Sequence, residues 1–252
     1  MGLIKNDREI NLIAESCKVV KDTLDFIKDF VREGVSTYEL DDLIETKIKN
    51  LGAQPAFKGY KVKGKRFPSS ACISINDEVV HGIPSKNVVL KNGDIISIDI
   101  GAYKNGYYGD SAYTFAVGEI SDKKKKLLKI TEESLYKGIE QAVEGNDVND
   151  ISVAVQNYVE GSGFSIVREL IGHGIGKNLH EEPPVPNYYS PSNKYKLRKG
   201  MVIAIEPMVN YGTARVRTKS DGWTVVTSDG EPSAHFEHTV LITNSKPVIL
   251  TN

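Results

Sequence analysis

One spacing occurs twice in this chain. Asn92-Gly-Asp-Ile-Ile-Ser-Ile-Asp99 and Lys199-Gly-Met-Val-Ile-Ala-Ile-Glu206 each run from a glycine through five residues to a carboxylate. The echo extends outward. His81-Gly-Ile-Pro84 lies upstream of the first copy and His173-Gly-Ile-Gly176 upstream of the second, and Glu33-Gly34 and Glu144-Gly145 each close a long helical pattern. An offset of roughly 110 residues fits duplication of an αβ half and not a solenoid. Each half reads helix, helix, strand, His-Gly, a strand ending in an acid, and a partner strand carrying a second acid. The expected fold class is α+β, a single domain over residues 1–252 whose halves divide at about residue 118. Their sheets would join centrally with helices outside, and Asp99, Asp110, Glu206 and Glu237 would converge at the seam.

Local patterns fill in the halves. Ile10, Ile13, Cys17, Val20, Leu24, Ile27 and Val31 recur at steps of three and four, which predicts a long amphipathic helix ended by Gly34. Ser36-Thr-Tyr-Glu39 is a capping box, followed by Leu40, Leu43, Ile44 and Ile48, with Gly52 as the stop. A Gly- and Lys-rich loop then leads to a strand at Ala71–Ile75. In the second half Ser121-Asp122 opens a helix closed by Glu144-Gly145, Asp147 caps a shorter one stopped at Gly161, and Ser165–Val167 is strand-like. Pro183, Pro184, Pro186 and Pro191 exclude helix or central strand from the segment that follows. Final strands are expected over Trp223–Thr227 and Ala234–Ile242, with Glu237 inside the second.

Asn105-Gly106 is the strongest hairpin signal, because a type I′ turn needs positive φ at both central residues. Closing there pairs Lys104 with Tyr107 and Gly101 with Asp110, so Asp99 and Asp110 share a face. Their Cβ atoms would stand diagonally, about 7–8 Å apart, with the absent side chain of Gly101 leaving space. Ile95, Ile96, Ile98 and Ile100 are apolar enough to bury the strand. Carboxylates crowded into such a place repel unless a proton or a cation lies between them. Two exposed aspartates on a wet edge would be ordinary; matched acids in both halves are not.

Composition narrows the function. With 32 Lys+Arg against 33 Asp+Glu there is no global field for nucleic acid or membrane. Lys123–Lys126 reads as a solvated helix face, with a ribosome or RNA contact as the lesser alternative. Cys17 and Cys72 have no metal-ligand spacing and cannot frame a fold by disulfides; Cys17 falls on an apolar stripe. No apolar run matches a membrane span, no signal peptide is evident, and Asn6 breaks the myristoylation pattern begun by Met1-Gly2. A soluble, cytoplasmic protein is expected.

Four carboxylates with few histidines make a hard ligand set suited to Mn²⁺, Fe²⁺, Co²⁺ or Mg²⁺ more than to structural Zn²⁺. Four acids over-neutralise one divalent ion, whereas two ions about 3.5–4 Å apart balance them and acidify a shared water. His173 is the candidate nitrogen ligand. His180 is placed to donate to a substrate carbonyl, and His81 to contact substrate from the opposite side. His235 and His238 read as structural, His238 pointing away from Glu237 on an alternating strand.

These residues resemble a known family. His81-Gly-Ile-Pro84, Asp99, Asp110, His173-Gly-Ile-Gly176, His180, Glu206-Pro207 and Glu237-His238-Thr239 together look like a type I methionine aminopeptidase of the pita-bread metallopeptidase fold, along essentially the whole chain. The resemblance implies a single catalytic domain and two divalent ions, drawn from Co, Mn, Fe, Ni or Zn. Asp110 and Glu237 would bridge both, Asp99 would chelate one, and His173 and Glu206 would hold the other. It further implies attack by a bridging hydroxide on the first peptide bond of a chain with a small second residue, Glu206 shuttling the proton. His180 would steady the tetrahedral oxygen and His81 contact the leaving side. The methionine pocket would be formed by Tyr60, Phe67, Cys72, Leu179 and Trp223. Nascent-chain N-termini are the implied partners, with a possible transient ribosome contact, no nucleic acid or membrane requirement, and a monomeric state.

Other readings stay open at this point. Proline-directed peptidases share the five ligands but usually add a large N-terminal domain, and type II methionine aminopeptidases carry an insert not seen here. Peptide-binding modules of this fold lack the full ligand set. A two-metal phosphoesterase would need a glycine-rich phosphate cradle or an Arg clamp, and neither accompanies the acids.

Overall fold

The computed structural model describes residues 2–62 and 64–252. Helices form where cap and apolar stripe agree. α1 (Asp7–Lys28) begins at Asn6, whose side chain accepts from Glu9 N while Glu9 accepts from Asn6 N. It ends at Lys28, earlier than Gly34, because Phe30 and Val31 leave it in turns that still pack on the same core. Gly34, at φ 87°, then redirects the chain. α2 (Thr37–Asn50) is capped as predicted, with Ser36 N donating to Glu39 Oε2 at 2.8 Å. α3 (Asp122–Glu140) stops short of Glu144-Gly145, since Val143 and Glu144 are drawn into pairing with Thr243. α4 (Val148–Gly161) follows Asp147 as expected.

The hairpin forms in the register its turn dictates. Ile95–Lys104 and Tyr107–Ala116 pair antiparallel, Lys104 opposite Tyr107 and Gly101 opposite Asp110, and Asn105 and Gly106 take φ of 50° and 90°. Ala71–Ile75 flanks it and sets Cys72 opposite Asp99. α1 and α2 bury Val20, Ile27, Leu40 and Ile44 against Ile73, Ile96 and Ile98 of this sheet. α3 and α4 do the same with Leu127, Leu135, Ile151 and Val155 against Ile203, Ile205 and Val240 of the second.

The second sheet departs from expectation chiefly at its last long strand. Its strand order is Glu181–Val185, Gly172–Gly174, Val202–Ile205, His238–Leu241, Val248–Ile249. His173 therefore lies in a short interior strand. Its flanking glycines allow this close pairing: a Cβ would stand 2.4 Å from Ala204 O at Gly172 and 2.1 Å from Glu182 O at Gly174. The proline segment forms the edge strand, where missing N–H groups cost no ladder bond, and the Glu182–Pro183 peptide is cis. The expected strand Ala234–Ile242 is broken. Ser233–His235 pairs with Met208–Asn210, His238–Leu241 pairs with Val202–Ile205, and Phe236-Glu237 is the crossing between sheets. The facing strand breaks at the same level, at Glu206-Pro207, since proline has no N–H to continue the ladder. Trp223 likewise precedes its strand, Val225–Thr227.

The halves join along Tyr107–Ala116 and the segment around Glu237. Glu237 N donates to Ala112 O at 2.9 Å. Hydroxyls add to it: Thr239 Oγ1 donates to Asp110 O and Thr114 Oγ1 to His235 O, each at 2.7 Å, and Ser111 Oγ to Glu237 O at 2.5 Å. This is the pita-bread architecture, two αβ halves with joined antiparallel sheets. Among the described residues no helix is long and apolar enough to cross a membrane.

α1 lies so close to the hairpin that a Cβ at Gly109 would stand 2.5 Å from Cys17 N. Gly109→Ala is expected to destabilise the fold by about 1–3 kcal/mol through overpacking, lowering the urea midpoint at constant slope. An unchanged midpoint would show that α1 shifts at no cost.

Candidate active site

The breaks and the hairpin deliver five side chains to one cavity of about 150 Å³. Asp99 and Asp110 come from the hairpin on the shared face. Glu206 and Glu237 follow and precede the paired residues Ile205 and His238, so they meet across the strand break. His173 arrives from the neighbouring strand, where Gly174 pairs with Ile203. Ligand atoms of Asp110, His173 and Glu237 lie within 4.8 Å of one another. His173 Nε2 is 3.6 Å from Glu206 Oε1 and 3.9 Å from Asp110 Oδ2. Asp99 lines the same cavity, set opposite Cys72 of the neighbouring strand.

The electrostatics of this group call for a cation. Desolvation pushes Asp99 up to about 7 and raises Asp110, Glu206 and Glu237 well above the usual carboxylate range, their mutual repulsion adding to it. Asp99 Oδ1, Asp110 Oδ1 and Glu237 Oε1 are buried without a hydrogen-bond partner. His173 decides the matter. Its Nδ1 lies 2.9 Å from Gly174 O, and a carbonyl can only accept, so Nδ1 carries the proton and Nε2 offers a lone pair to the carboxylates. Desolvation lowers its pKa to about 3, so it stays neutral. A lone pair aimed at carboxylate oxygens is repulsive unless a cation or a carboxyl proton lies between them, and a hydrogen bond from the other ring nitrogen is the usual support for a ligating histidine. Oxygen donors with one imidazole fit a divalent metal ion.

Above this floor the wall is apolar. Tyr60, Phe67, Cys72, Leu179 and Trp223 all line the cavity, with Phe67 edge-on to Trp223 at 5.3 Å. Phe57 and Val62 line it as well, which the sequence reading missed. Phe57 also corrects the expected gap at Gly101: a Cβ there would be 2.6 Å from Phe57 Cε1, so the glycine seats a wall residue and leaves no space between carboxylates. His180 sits at the mouth, Nδ1 2.7 Å from Tyr60 Oη and its ring 4.4 Å from that of His173. His81 takes φ of 58°, a strained value for a non-glycine residue, and desolvation lowers its pKa to about 4.

His235 and His238 part company. His238 turns away, its Nδ1 2.9 Å from Thr251 Oγ1, in the supporting role expected. His235 does not. It is 1 % exposed, with Nε2 3.7 Å from Glu206 Oε2 and 4.0 Å from Glu237 Oε2. Two-residue alternation with Glu237 was the signal that put it on the site's face.

The sequence matches the description "Metallopeptidase family M24" over residues 11–244. The chain belongs to metallopeptidase family M24. Full-length relatives in M24 include the methionine aminopeptidase of Clostridium acetobutylicum, 53 % identical over all of this chain and 99 % of that protein. Methionine aminopeptidase 1 of Bacillus subtilis is 52 % identical over the same shares. The crystal structure of methionine aminopeptidase from Thermotoga maritima superposes with a TM-score of 0.95 at 43 % identity, covering 99 % of this chain and 98 % of that one. A Pyrococcus horikoshii prolidase shares the M24 fold at a TM-score of 0.80 and 26 % identity, but this chain spans only 63 % of it. The chain is thus an enzyme of the metallopeptidase class, as the resemblance implied.

The raised carboxylates set a pH dependence. Asp99 has a folded pKa of about 7, above its unfolded value, so its stabilising contribution is full below the unfolded pKa and is lost as pH rises through about 7. Metal-free protein is expected to melt at lower temperature at about pH 8 than at about pH 5, and Asp99→Asn to flatten that fall. A divalent salt restores the midpoint at the higher pH with release of protons. A metal-free midpoint that holds or climbs across this window would refute the account.

Proposed function

We propose that this chain hydrolyses the N-terminal methionine from peptides and nascent proteins with a small second residue. The observation that carries the reading is the metal cage opening directly onto an apolar pocket of side-chain size. Two divalent ions, of the Co, Mn, Fe, Ni or Zn kind, would be held by Asp110 and Glu237 between them, by Asp99 on one side and by His173 and Glu206 on the other. Bound there, they supply Lewis acidity and a water acidic enough to serve as nucleophile at neutral pH.

The protein's own groups do the rest. Phe57, Phe67, Cys72, Leu179 and Trp223 receive the methionine side chain and exclude water. If Tyr60 donates its hydroxyl proton to His180 Nδ1, the imidazole proton sits on Nε2, the tautomer that donates to a carbonyl oxygen as it gains charge. His81, neutral at pH 7, contacts the amide on the leaving side. Glu206 takes the proton from the attacking water and returns it to the departing amine. The same reading makes the protein a cytoplasmic monomer of one catalytic domain, meeting the ribosome transiently if at all.

Asp110→Ala and Glu237→Ala are expected to leave a folded protein that binds no metal and releases no methionine from Met-Gly-Met. Persistent turnover in either would end the dinuclear reading. His180→Ala is expected to lower kcat by about 10²–10³ with metal content unchanged; metal lost in parallel with activity would make His180 a ligand. A peptide panel separates the peptidase readings, since preference for Xaa-Pro over Met-Gly would favour the proline-directed alternative.

A further inference from the structure

Gly2 to Lys5 reach the turn that leads to His180. Lys5 N donates to Gly200 O at 2.8 Å, which docks the N-terminal segment on the second half. Lys5 Nζ then meets Glu181 Oε2 at 2.5 Å, and both side chains are sunk, 7 % and 9 % exposed. Nζ also donates to Gly2 O at 3.2 Å, so the segment folds around its own lysine. Glu181 uses its other oxygen to accept from Asn178 N at 2.9 Å. The turn is closed by Gly176 N to Asn178 O and tied to the hairpin by Tyr108 N to Gly176 O, at 3.1 and 2.8 Å. Gly176 is a glycine because of this pair: a Cβ there would lie 2.8 Å from Lys5 Cε and 3.0 Å from both Lys5 Nζ and Glu181 Oε2.

We propose that Lys5 and Glu181 form a buried brace through which the N-terminal segment positions His180. His180 is the residue immediately before Glu181, at the end of the turn the brace closes. Pinning the Glu181 carboxylate by an ammonium on one oxygen and an amide on the other fixes the peptide that carries the imidazole. A buried ion pair adds little net stability over apolar packing, because desolvating both charges offsets their attraction. What it does supply is direction, and direction is what a donor facing a developing oxyanion requires. Lys5 and Glu181 are positioning residues, acting through His180. The inference rests on the role given to His180 above.

A mutant cycle on metal-loaded enzyme tests it. Removing one charge alone would strand the other, so the informative variant is Lys5→Met with Glu181→Gln, which keeps the bulk and the acceptor for Asn178. The double variant should melt cooperatively and hold its metal, with kcat on Met-Gly-Met down on the order of tenfold and KM changed less than about twofold. In a His180→Ala background the same pair should cost nothing further. An equal loss in both backgrounds, or no loss in the first, overturns the brace. Full activity in His180→Ala alone would instead overturn the reading of His180. Lys5→Arg, which keeps the charge and moves the donor, covers the case of a double variant that melts early. It should show a smaller kcat loss that also vanishes without His180, and a loss that persists there overturns the proposal.

Discussion

Asp99, Asp110, Glu206 and Glu237 repel one another, and the architecture around them is a means of bearing that repulsion. Left to itself the cage favours protonated carboxyls, as the upward shifts of all four acids show. His173 makes the strain specific. A proton on Glu206 could donate to the imidazole lone pair that faces it at 3.6 Å, yet Asp99 Oδ1, Asp110 Oδ1 and Glu237 Oε1 are buried with no hydrogen-bond partner. A divalent cation with several open coordination positions serves the lone pair and these oxygens together. The cage is therefore a site in which binding and folding are linked, and whose affinity rises with pH as its protons leave.

Holding such a cage together requires a seam that cannot slide. The halves do not meet in a long backbone ladder. Beside a short pairing of Glu78–Val80 with Val225–Thr227, they meet around the acids through Glu237 N on Ala112 O and through the hydroxyls of Ser111, Thr114 and Thr239, each reaching a carbonyl across the gap. Directional bonds of this kind fix register where apolar contact alone would permit slippage. Asp110 and Glu237 both sit in this stretch, and Thr239 Oγ1 bonds the carbonyl of Asp110 itself. The bonds that join the halves thus also space the acids shared between them.

What the sequence revealed was what local rules control. Asn105-Gly106 determines its own turn, and with it the pairing of Gly101 with Asp110 and the common face of Asp99 and Asp110. Ser36 and Glu39 cap each other within four residues, so α2 was legible too. The repeat exposed the matched acids because duplication leaves its trace in the chain itself. The misses all involve partners distant in sequence. Glu237 leaves its strand because Pro207 interrupts the strand opposite it, and His173 enters a strand because Ala204 and Glu182 lie close on either side. Phe57 fills the place above Gly101 from a loop whose path no periodicity encodes. His235 was within reach, since alternation puts it on the face of Glu237, but a lone histidine in an apolar run carries no mark of what it faces.

Duplication explains the frame and not the division of labour within it. The first half contributes two aspartates from one rigid hairpin, fixed in relation to each other by ten paired positions. The second contributes Glu206 and Glu237 from beside two strand ends and His173 from the middle of a short strand, each set by a break or a close glycine contact. His81 and His173 occupy equivalent places in the repeat yet meet different fates. His173 pairs within a sheet and bonds its own strand's carbonyl, whereas His81 is held at positive φ, its pKa lowered by desolvation and by His180. Longer carboxylates and an imidazole reach further and tolerate adjustment, while short aspartates on a hairpin do not. The departure of the two copies from each other is thus what converts a symmetric pair of folds into a site with two aspartates from one half and two glutamates and an imidazole from the other.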